Sequence, residues 1–219
     1  MKKYIDKIVL AVVFIFVIIG VVWARIDESS FMSYYVNEDH IIEWLTVLAL
    51  LCGSALCFFR VWKLRASKNW LFLLCTFILG CLFFFGAGEE ISWGQRILGI
   101  TSSDFFQIHN AQRETNLHNL VVKGVKINKL IFGLTIGIII VIYFLIVPVL
   151  YRKFEVVKKW VNRLAIPIPT LFHIGCYLVL FLLAEATGSD KKPEILEFGG
   201  CWIFFMMTLN PFNKENFHP

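Results

Sequence analysis

Long apolar runs alternate with short polar connections along the whole chain. Six runs approach the roughly 20 residues that a helix needs to cross about 30 Å of bilayer hydrocarbon. They cover residues 8–23, 41–62, 70–88, 130–151, 164–186 and 195–209. The sixth run is short and has Glu197 in its first turn. This pattern predicts an all-α, polytopic membrane protein with about six transmembrane helices, organised as one integral-membrane domain over residues 1–219.

The composition agrees with this pattern and excludes the main soluble classes. Hydrophobic residues make up 58% of the 219 positions and charged residues only 17%, against roughly 25% charged residues in a soluble domain. Lipid must therefore act as the solvent for much of the surface, which excludes a disordered chain or a coiled coil. All six cysteines fall within the apolar runs, where neither a disulfide framework nor a zinc knuckle is expected.

The basic residues predict the orientation, because Lys and Arg in short connections mark the cytoplasmic side. With the amino terminus inside, 13 of the 21 basic residues lie in inward connections: Lys2, Lys3, Lys7, Arg60, Lys63, Arg65, Lys68, Arg152, Lys153, Lys158, Lys159, Arg163 and Lys214. All acidic residues except Asp6, Glu155 and Glu215 lie on the opposite side. We therefore expect a protein of the bacterial cytoplasmic (inner) membrane with both termini cytoplasmic. A signal peptide is the alternative for the first run, but Val22–Arg25 is a poor cleavage site.

The longest polar stretch joins the third and fourth runs and is expected on the extracytoplasmic side. Ser103 or Asp104 is a candidate N-cap for a helix that begins at Phe105. On such a helix Glu114 and His118 are four residues apart and share a face. The sequence thus predicts a helical extracytoplasmic segment.

Glu89 and Glu90 lie together at the outward mouth of the third run. Adjacent carboxylates at a membrane boundary are costly unless they are solvated, paired or coordinating. A carboxyl group in a partly dry pocket suits a general acid or base near neutral pH. We therefore predict Glu89, Glu90 and His118 as catalytic residues; the alternative is a helix end whose two glutamates simply face water. The expected substrate-binding residues are polar or aromatic neighbours on the same side: Trp93, Gln95, Arg96, Asn116, Asn119 and Glu185.

A divalent metal is the one cofactor that the side-chain types suggest. His109, Glu114 and His118 are ligand types that Zn²⁺ or Mn²⁺ uses. Their spacing matches no recognised metal signature, and each histidine alone is more typical of a hydrogen-bonded loop residue. His173 lies within the fifth run, where a neutral histidine bonded to a neighbouring helix is the simpler explanation of an ionisable side chain.

Two segments, residues 84–96 (FFGAGEEISWGQR) and 116–119 (NLHN), resemble a signature of bacterial multi-span membrane proteins of uncharacterised activity. The likeness falls within residues 84–119 and implies no activity. The Glu-Glu pair is also similar to that of membrane glutamic proteases of the CAAX-processing type. However, Arg96 follows Glu90 by six positions and the paired intramembrane His motifs are missing. Alkaline-ceramidase-like hydrolases use several intramembrane His residues, whereas this chain has only one His within its predicted spans. The chain is therefore assigned to neither family.

Three functions remain open on the sequence. The first is a hydrolase or transferase that acts on a lipid, a lipid-linked head group or a membrane peptide, with Arg96 binding an anionic group. The second is a non-catalytic accessory protein that binds a membrane protein partner, an ion or a lipid through its acidic outward face. The third is a small-solute transporter, which usually needs polar residues or broken helices near the midplane. Membrane lipid is a partner in each case, and nucleic acid is not, because the basic residues lie beside the spans and set topology.

Overall fold

The structure, a computed structural model, describes residues 4–117, 119–122, 125–126 and 135–219. Its main helices are α1 (Ile5–Ile26), α2 (Ile41–Leu64), α3 (Trp70–Glu90), α4 (Asp104–His109), α5 (Ile136–Lys153), α6 (Glu155–Arg163), α7 (Leu171–Thr187) and α8 (Lys192–Leu209). Shorter helical turns cover Glu28–Ser30, Phe31–Tyr35, Ser92–Gly94, Gln95–Leu98 and Lys214–Phe217. Two short antiparallel strands, β1 (Val121–Val122) and β2 (Val125–Lys126), pair Val121 with Lys126.

Four of these helices, α1, α2, α3 and α5, are long and apolar enough to cross a membrane. Their most apolar windows are only 17–39% buried inside the protein. Large aliphatic and aromatic side chains therefore cover their outer surfaces, as lipid-facing helices require. The chain is thus a helical protein with the features of a membrane protein, and four of the six expected spans satisfy the length and hydropathy criteria in the structure. Residues 130–134 of the fourth expected run lie outside the described residues.

The fifth and sixth expected spans differ from the helices that are formed. Residues 164–170 are not helical, and α7 has 17 residues. The sequence Pro167-Ile-Pro169 explains the late start, because proline lacks the backbone N–H that a helix interior needs and restrains the residue before it. Thr170 then caps α7 by accepting a hydrogen bond from the His173 backbone N–H at 3.2 Å. Helix α8 begins at Lys192, three residues before the expected start, with Pro193 in its first turn.

The connection between α3 and α5 is helical only in part. Helix α4 starts one residue before the expected Phe105, but it ends at His109, so Glu114 is not part of it. Asn110 explains this end: its backbone is extended, and its side-chain Oδ1 accepts hydrogen bonds from the N–H groups of Gln112 and Glu114. Such side-chain bonds to the following backbone favour a turn over a helix.

Helix α8 is the centre of the packing, although it is short and has charged residues in its first turns. It contacts α1, α2 and α7, and its side chains Ile195, Phe198, Ile203 and Met206 are almost completely buried. Because protein surrounds it, α8 needs no continuous apolar surface toward lipid. Helices α2 and α3 pack along each other beside it. This arrangement brings the first turns of α8 next to the end of α3.

Candidate functional site

The chain reverses direction immediately after α3. Ser92, Trp93 and Gly94 all have positive φ angles, of 47°, 53° and 77°. This conformation is unusual for Ser and Trp and is held by surrounding contacts. After this change of direction, the short helix Gln95–Leu98 lies beside the end of α3. Arg96 is thereby placed at the centre of a polar cluster.

Four carboxylates from three parts of the chain surround the Arg96 guanidinium. Glu38 Oε2 lies 3.3 Å from Nη1, and Asp39 Oδ1 lies 3.2 Å from Nε; both belong to the loop before α2. Glu43, in the first turn of α2, accepts a hydrogen bond from Nη2. Glu114 completes the set, with its Oε2 3.1 Å from Nη1. We call these five residues the Arg96 cluster.

The Arg96 cluster leaves the arginine charged and engaged. Its side chain is 18% exposed. Burial alone would lower the pKa of Arg96, but the carboxylates of Glu43, Glu114 and Asp39 outweigh burial and hold this pKa above its ordinary value. An anionic ligand would have to compete with four carboxylates for the guanidinium. Arg96 therefore connects the loop before α2, the first turn of α2 and Glu114; its binding of a substrate stays a prediction.

Amide and hydroxyl groups extend the Arg96 cluster on the side of Glu114. Glu114 also accepts hydrogen bonds from Ser92 Oγ and, at 3.1 Å, from Asn116 Nδ2. Asn116 is buried, and its Oδ1 accepts hydrogen bonds from Asn110 Nδ2 at 2.9 Å and from the Asn119 backbone at 3.0 Å. Every polar atom named here has a protein partner. This part of the network orders the 92–119 segment.

The adjacent glutamates at the end of α3 point to different neighbours. Glu89 is 6% exposed and accepts hydrogen bonds from Trp93 Nε1 at 2.9 Å and from the Leu117 backbone N–H at 2.6 Å. It therefore anchors the segment that follows α3, through its bonds to Trp93 and Leu117. Glu90 has a different neighbour, because its carboxyl group lies close to that of Glu197 on α8. Both members of this Glu90–Glu197 pair are half-buried, with Glu194 and Glu43 near Glu90.

The other site residues predicted from the sequence either lie outside the Arg96 cluster and the Glu90–Glu197 pair or support them through hydrogen bonds. Gln95 accepts a hydrogen bond from the Thr115 backbone at 2.7 Å, and Asn119 donates one to Gln112. Glu185 pairs with Lys192 at 2.7 Å in a half-exposed position. His109 is exposed, with its ring 5.0 Å from that of Phe105. The proposed catalytic and metal-binding residue His118 lies outside the described residues.

The expected metal set is not assembled in the part of the chain that the structure describes. No group of three His, Cys, Asp or Glu residues there has the arrangement to hold a metal ion. Glu114, a proposed ligand, is occupied by Arg96, Ser92 and Asn116.

The site predicted from the sequence did not include four carboxylates that take part in these contacts: Glu38, Asp39, Glu43 and Glu197. Their participation depends on contacts over long sequence distances, since Arg96 is 53–58 residues from its three partners before α3. The available signal was the enrichment of carboxylates in all three outward connections. The chain matches no protein-family model, no curated protein and no solved structure.

Proposed function

We propose that the protein is a membrane-embedded hydrolase or transferase whose outward end performs acid–base chemistry on a lipid, a lipid-linked head group or a membrane peptide. The observation that supports this proposal is the close approach of the Glu90 and Glu197 carboxyl groups, contributed by α3 and α8. Two ionised carboxylates in close contact repel each other and have no hydrogen to donate, so we infer that the pair holds one proton between them. A carboxylate and a carboxylic acid side by side are the two partners that general base and general acid catalysis require.

The pair can supply both proton transfers of a substitution reaction. Its ionised member would take the proton from an attacking water or hydroxyl group, and its protonated member would give a proton to the leaving oxygen or nitrogen. Both residues are partly exposed, as the proposal requires if a substrate is to reach them. Glu89 would have a positioning role, because it holds the segment that follows α3 through hydrogen bonds from Trp93 and Leu117. His118, which follows Leu117, stays a prediction as a second base.

A lipid-borne substrate suits the surroundings of the pair. Large apolar side chains are exposed on the segment that follows α3, including Trp93 at 45%, Phe105 at 54% and Ile108 at 75%. Exposed Trp and Phe at the end of membrane helices are typical of the bilayer interface. A head group at that depth would meet the Glu90–Glu197 pair without leaving the membrane.

A binding or accessory function is the second candidate, and the Arg96 cluster favours it. Four carboxylates share one guanidinium, so the cluster keeps a negative excess that would attract a basic partner or a cation. Alanine substitutions of Glu38 and Asp39, the two more exposed members, would then weaken binding by graded amounts. Loss of all activity after one conservative change at Glu90 would instead indicate catalysis.

For the membrane arrangement, we propose a multi-pass protein of the bacterial cytoplasmic membrane with about six crossings and both termini cytoplasmic. In this arrangement α7 and α8 are the two additional crossings, with α8 shielded from lipid by its neighbours. Single cysteines introduced at Ser29 and Thr101 in a cysteine-free background should react with an impermeant thiol reagent from outside. Cysteines at Asn69 and Lys159 should react only after the membrane is opened. The reverse labelling would contradict the orientation.

The catalytic proposal is tested by comparing membranes that contain equal amounts of the wild-type protein, Glu90→Gln, Glu197→Gln or Glu185→Gln. Glu185→Gln is the matched control, because Glu185 lies on the same side but pairs with exposed Lys192. Mass spectrometry of the extracted lipids and lipid-linked compounds should reveal a product that the wild type and the control make. Its formation should fall by about 10²–10⁴-fold in the other two variants, the usual contribution of general acid–base catalysis. Equal profiles for all four proteins would refute the proposal.

A further inference from the structure

A polar cavity lies at the opposite end of the bundle from the Glu90–Glu197 pair. Its volume is about 490 Å³, within the range of roughly 300–1,000 Å³ that is common for ligand sites. It lies where α5 ends, between α6 and the carboxy-terminal segment. The lining side chains are Tyr151, Arg152, Lys158, Asn162, Phe212, Asn213, Glu215 and Asn216. The proposed enzymatic function uses none of them.

The floor of the cavity is a fixed hydrogen-bond network. The backbone N–H of Ile168 donates to Asn213 Oδ1 at 2.9 Å, which determines the orientation of that amide. Asn213 Nδ2 then donates to Asn162 Oδ1 at 3.1 Å, and Tyr151 Oη donates to the same oxygen at 3.2 Å. Asn162 Oδ1 is therefore the acceptor in both bonds. Its Nδ2 has no hydrogen bond to any residue that the structure describes, so it remains a donor for a ligand.

Two cations line the cavity above this floor. The Arg152 guanidinium lies 4.7 Å from the centroid of the Phe212 ring and, among the described residues, has no carboxylate partner. The Lys158 ammonium is 3.2 Å from Glu155 in an exposed pair, an interaction that contributes little. Glu215 is the single acidic side chain that lines the cavity. The lining therefore has a net positive charge and offers charged donors of the kind that bind a phosphate group.

The surroundings of the cavity place it at a membrane surface. Phe154, Val156 and Trp160, at and after the start of α6, are 51–71% exposed. Basic residues Lys153, Lys159 and Arg163 lie on the same short helix or next to it. An amphipathic helix with exposed aromatic and basic residues is typical of one that lies in the interface of an anionic membrane.

We propose that this cavity binds the phosphate group of an anionic glycerophospholipid in the leaflet on the basic side of the protein. Arg152 and Lys158 would contact the phosphate oxygens, and Asn162 Nδ2 would donate a third hydrogen bond. The acyl chains would lie along the exposed apolar surface of α5, where Val149 and Ile146 are 45% and 47% exposed. The cavity thus provides a head-group site that joins directly to a lipid-facing surface.

Lipid binding to the detergent-purified protein, followed by native mass spectrometry, tests the proposal. The probes are phosphatidylglycerol, phosphatidylcholine and inorganic phosphate. The variant Arg152→Gln/Lys158→Gln should weaken phosphatidylglycerol binding about tenfold or more, as expected for the loss of charge-assisted contacts. The control Lys153→Gln/Lys159→Gln removes the same charge from the same face but not from the cavity lining, and should bind nearly as the wild type does.

Three outcomes would overturn the proposal. Equal weakening in the two double variants would indicate general attraction to the basic face. Equal affinity for phosphatidylcholine would show that the charge of the lipid is not recognised, and inorganic phosphate that displaces the lipid at similar concentration would indicate a simple anion site. All four substituted side chains are exposed or half-buried, so thermal unfolding without added lipid should be unchanged in both variants. The proposal does not depend on the Glu90–Glu197 chemistry, because neither variant alters that end of the protein.

Discussion

Replacing Arg96 with Met should destabilise the protein more than any change at an exposed ion pair. The substitution keeps an unbranched side chain of similar length but removes the guanidinium that four carboxylates share. Glu43 and Glu114 are only 12% and 11% exposed at the side chain, so they cannot be fully hydrated when their partner is lost. An uncompensated buried charge is the main source of the cost.

The magnitude follows from the two kinds of contact in the cluster. Exposed pairs contribute about 0–1 kcal/mol each, which applies to Glu38 and Asp39, at 39% and 53% side-chain exposure. Breaking a buried pair costs about 3–5 kcal/mol. We therefore expect Arg96→Met to lower the free energy of unfolding by about 3–5 kcal/mol. The difference from wild type should shrink as the pH falls, because protonation removes the uncompensated carboxylate charge.

Equilibrium unfolding in mixed micelles measures this effect. Lys192→Met is the matched control, since it breaks a pair with Glu185 in which both side chains are at least 40% exposed; it should cost no more than about 1 kcal/mol. The double variant Arg96→Met/Glu114→Gln should recover part of the loss by removing one unpaired carboxylate. Equal stabilities for Arg96→Met and Lys192→Met would refute the view that the Arg96 cluster fixes the loops it connects.

Two further substitutions test individual contacts by the same unfolding measurement. Trp93→Phe removes the indole donor to the Glu89 carboxylate at 2.9 Å and should lower the free energy of unfolding by about 1.5–3 kcal/mol. The same change at exposed Trp70 should cost little. Equal losses in the two variants would contradict the anchoring function of Glu89. Gly199→Ala should lower the free energy of unfolding by about 1–3 kcal/mol, because a Cβ there would lie 2.5 Å from the nearest side-chain atom of α7. Unchanged stability would argue against this close approach. Gly175→Ala, where a Cβ meets no atom within 4 Å, should be neutral or slightly stabilising.

Hydropathy was sufficient to predict α1, α2 and α3, with starts and ends within about three residues of those in the structure. Lipid imposes both the length and the apolar surface of these helices, so the sequence pattern alone defines them. The start of α7 was wrong because Pro167 and Pro169 interrupt an otherwise apolar run. The central position of α8 could not be predicted, since burial by neighbouring helices leaves no distinct periodic pattern.

The candidate site was predictable in composition but not in pairing. Successive residues of a helix point about 100° apart, so Glu89 and Glu90 contact different neighbours. Glu89 binds the segment that follows α3, while Glu90 meets Glu197 from a helix more than 100 residues further along the chain. The partners of Arg96 likewise come from distant loops whose approach depends on the complete fold.

Whether the Glu90–Glu197 pair shares a proton is the most direct test of the proposed chemistry. Infrared spectroscopy of the purified protein at neutral pH detects the carbonyl stretching band of a protonated carboxyl group. We predict that difference spectra against wild type show the loss of one such band in both Glu90→Gln and Glu197→Gln, and no loss in Glu185→Gln. If the band is absent from the wild type, or survives in both pair variants, the two carboxyl groups do not share a proton and the acid–base proposal is wrong.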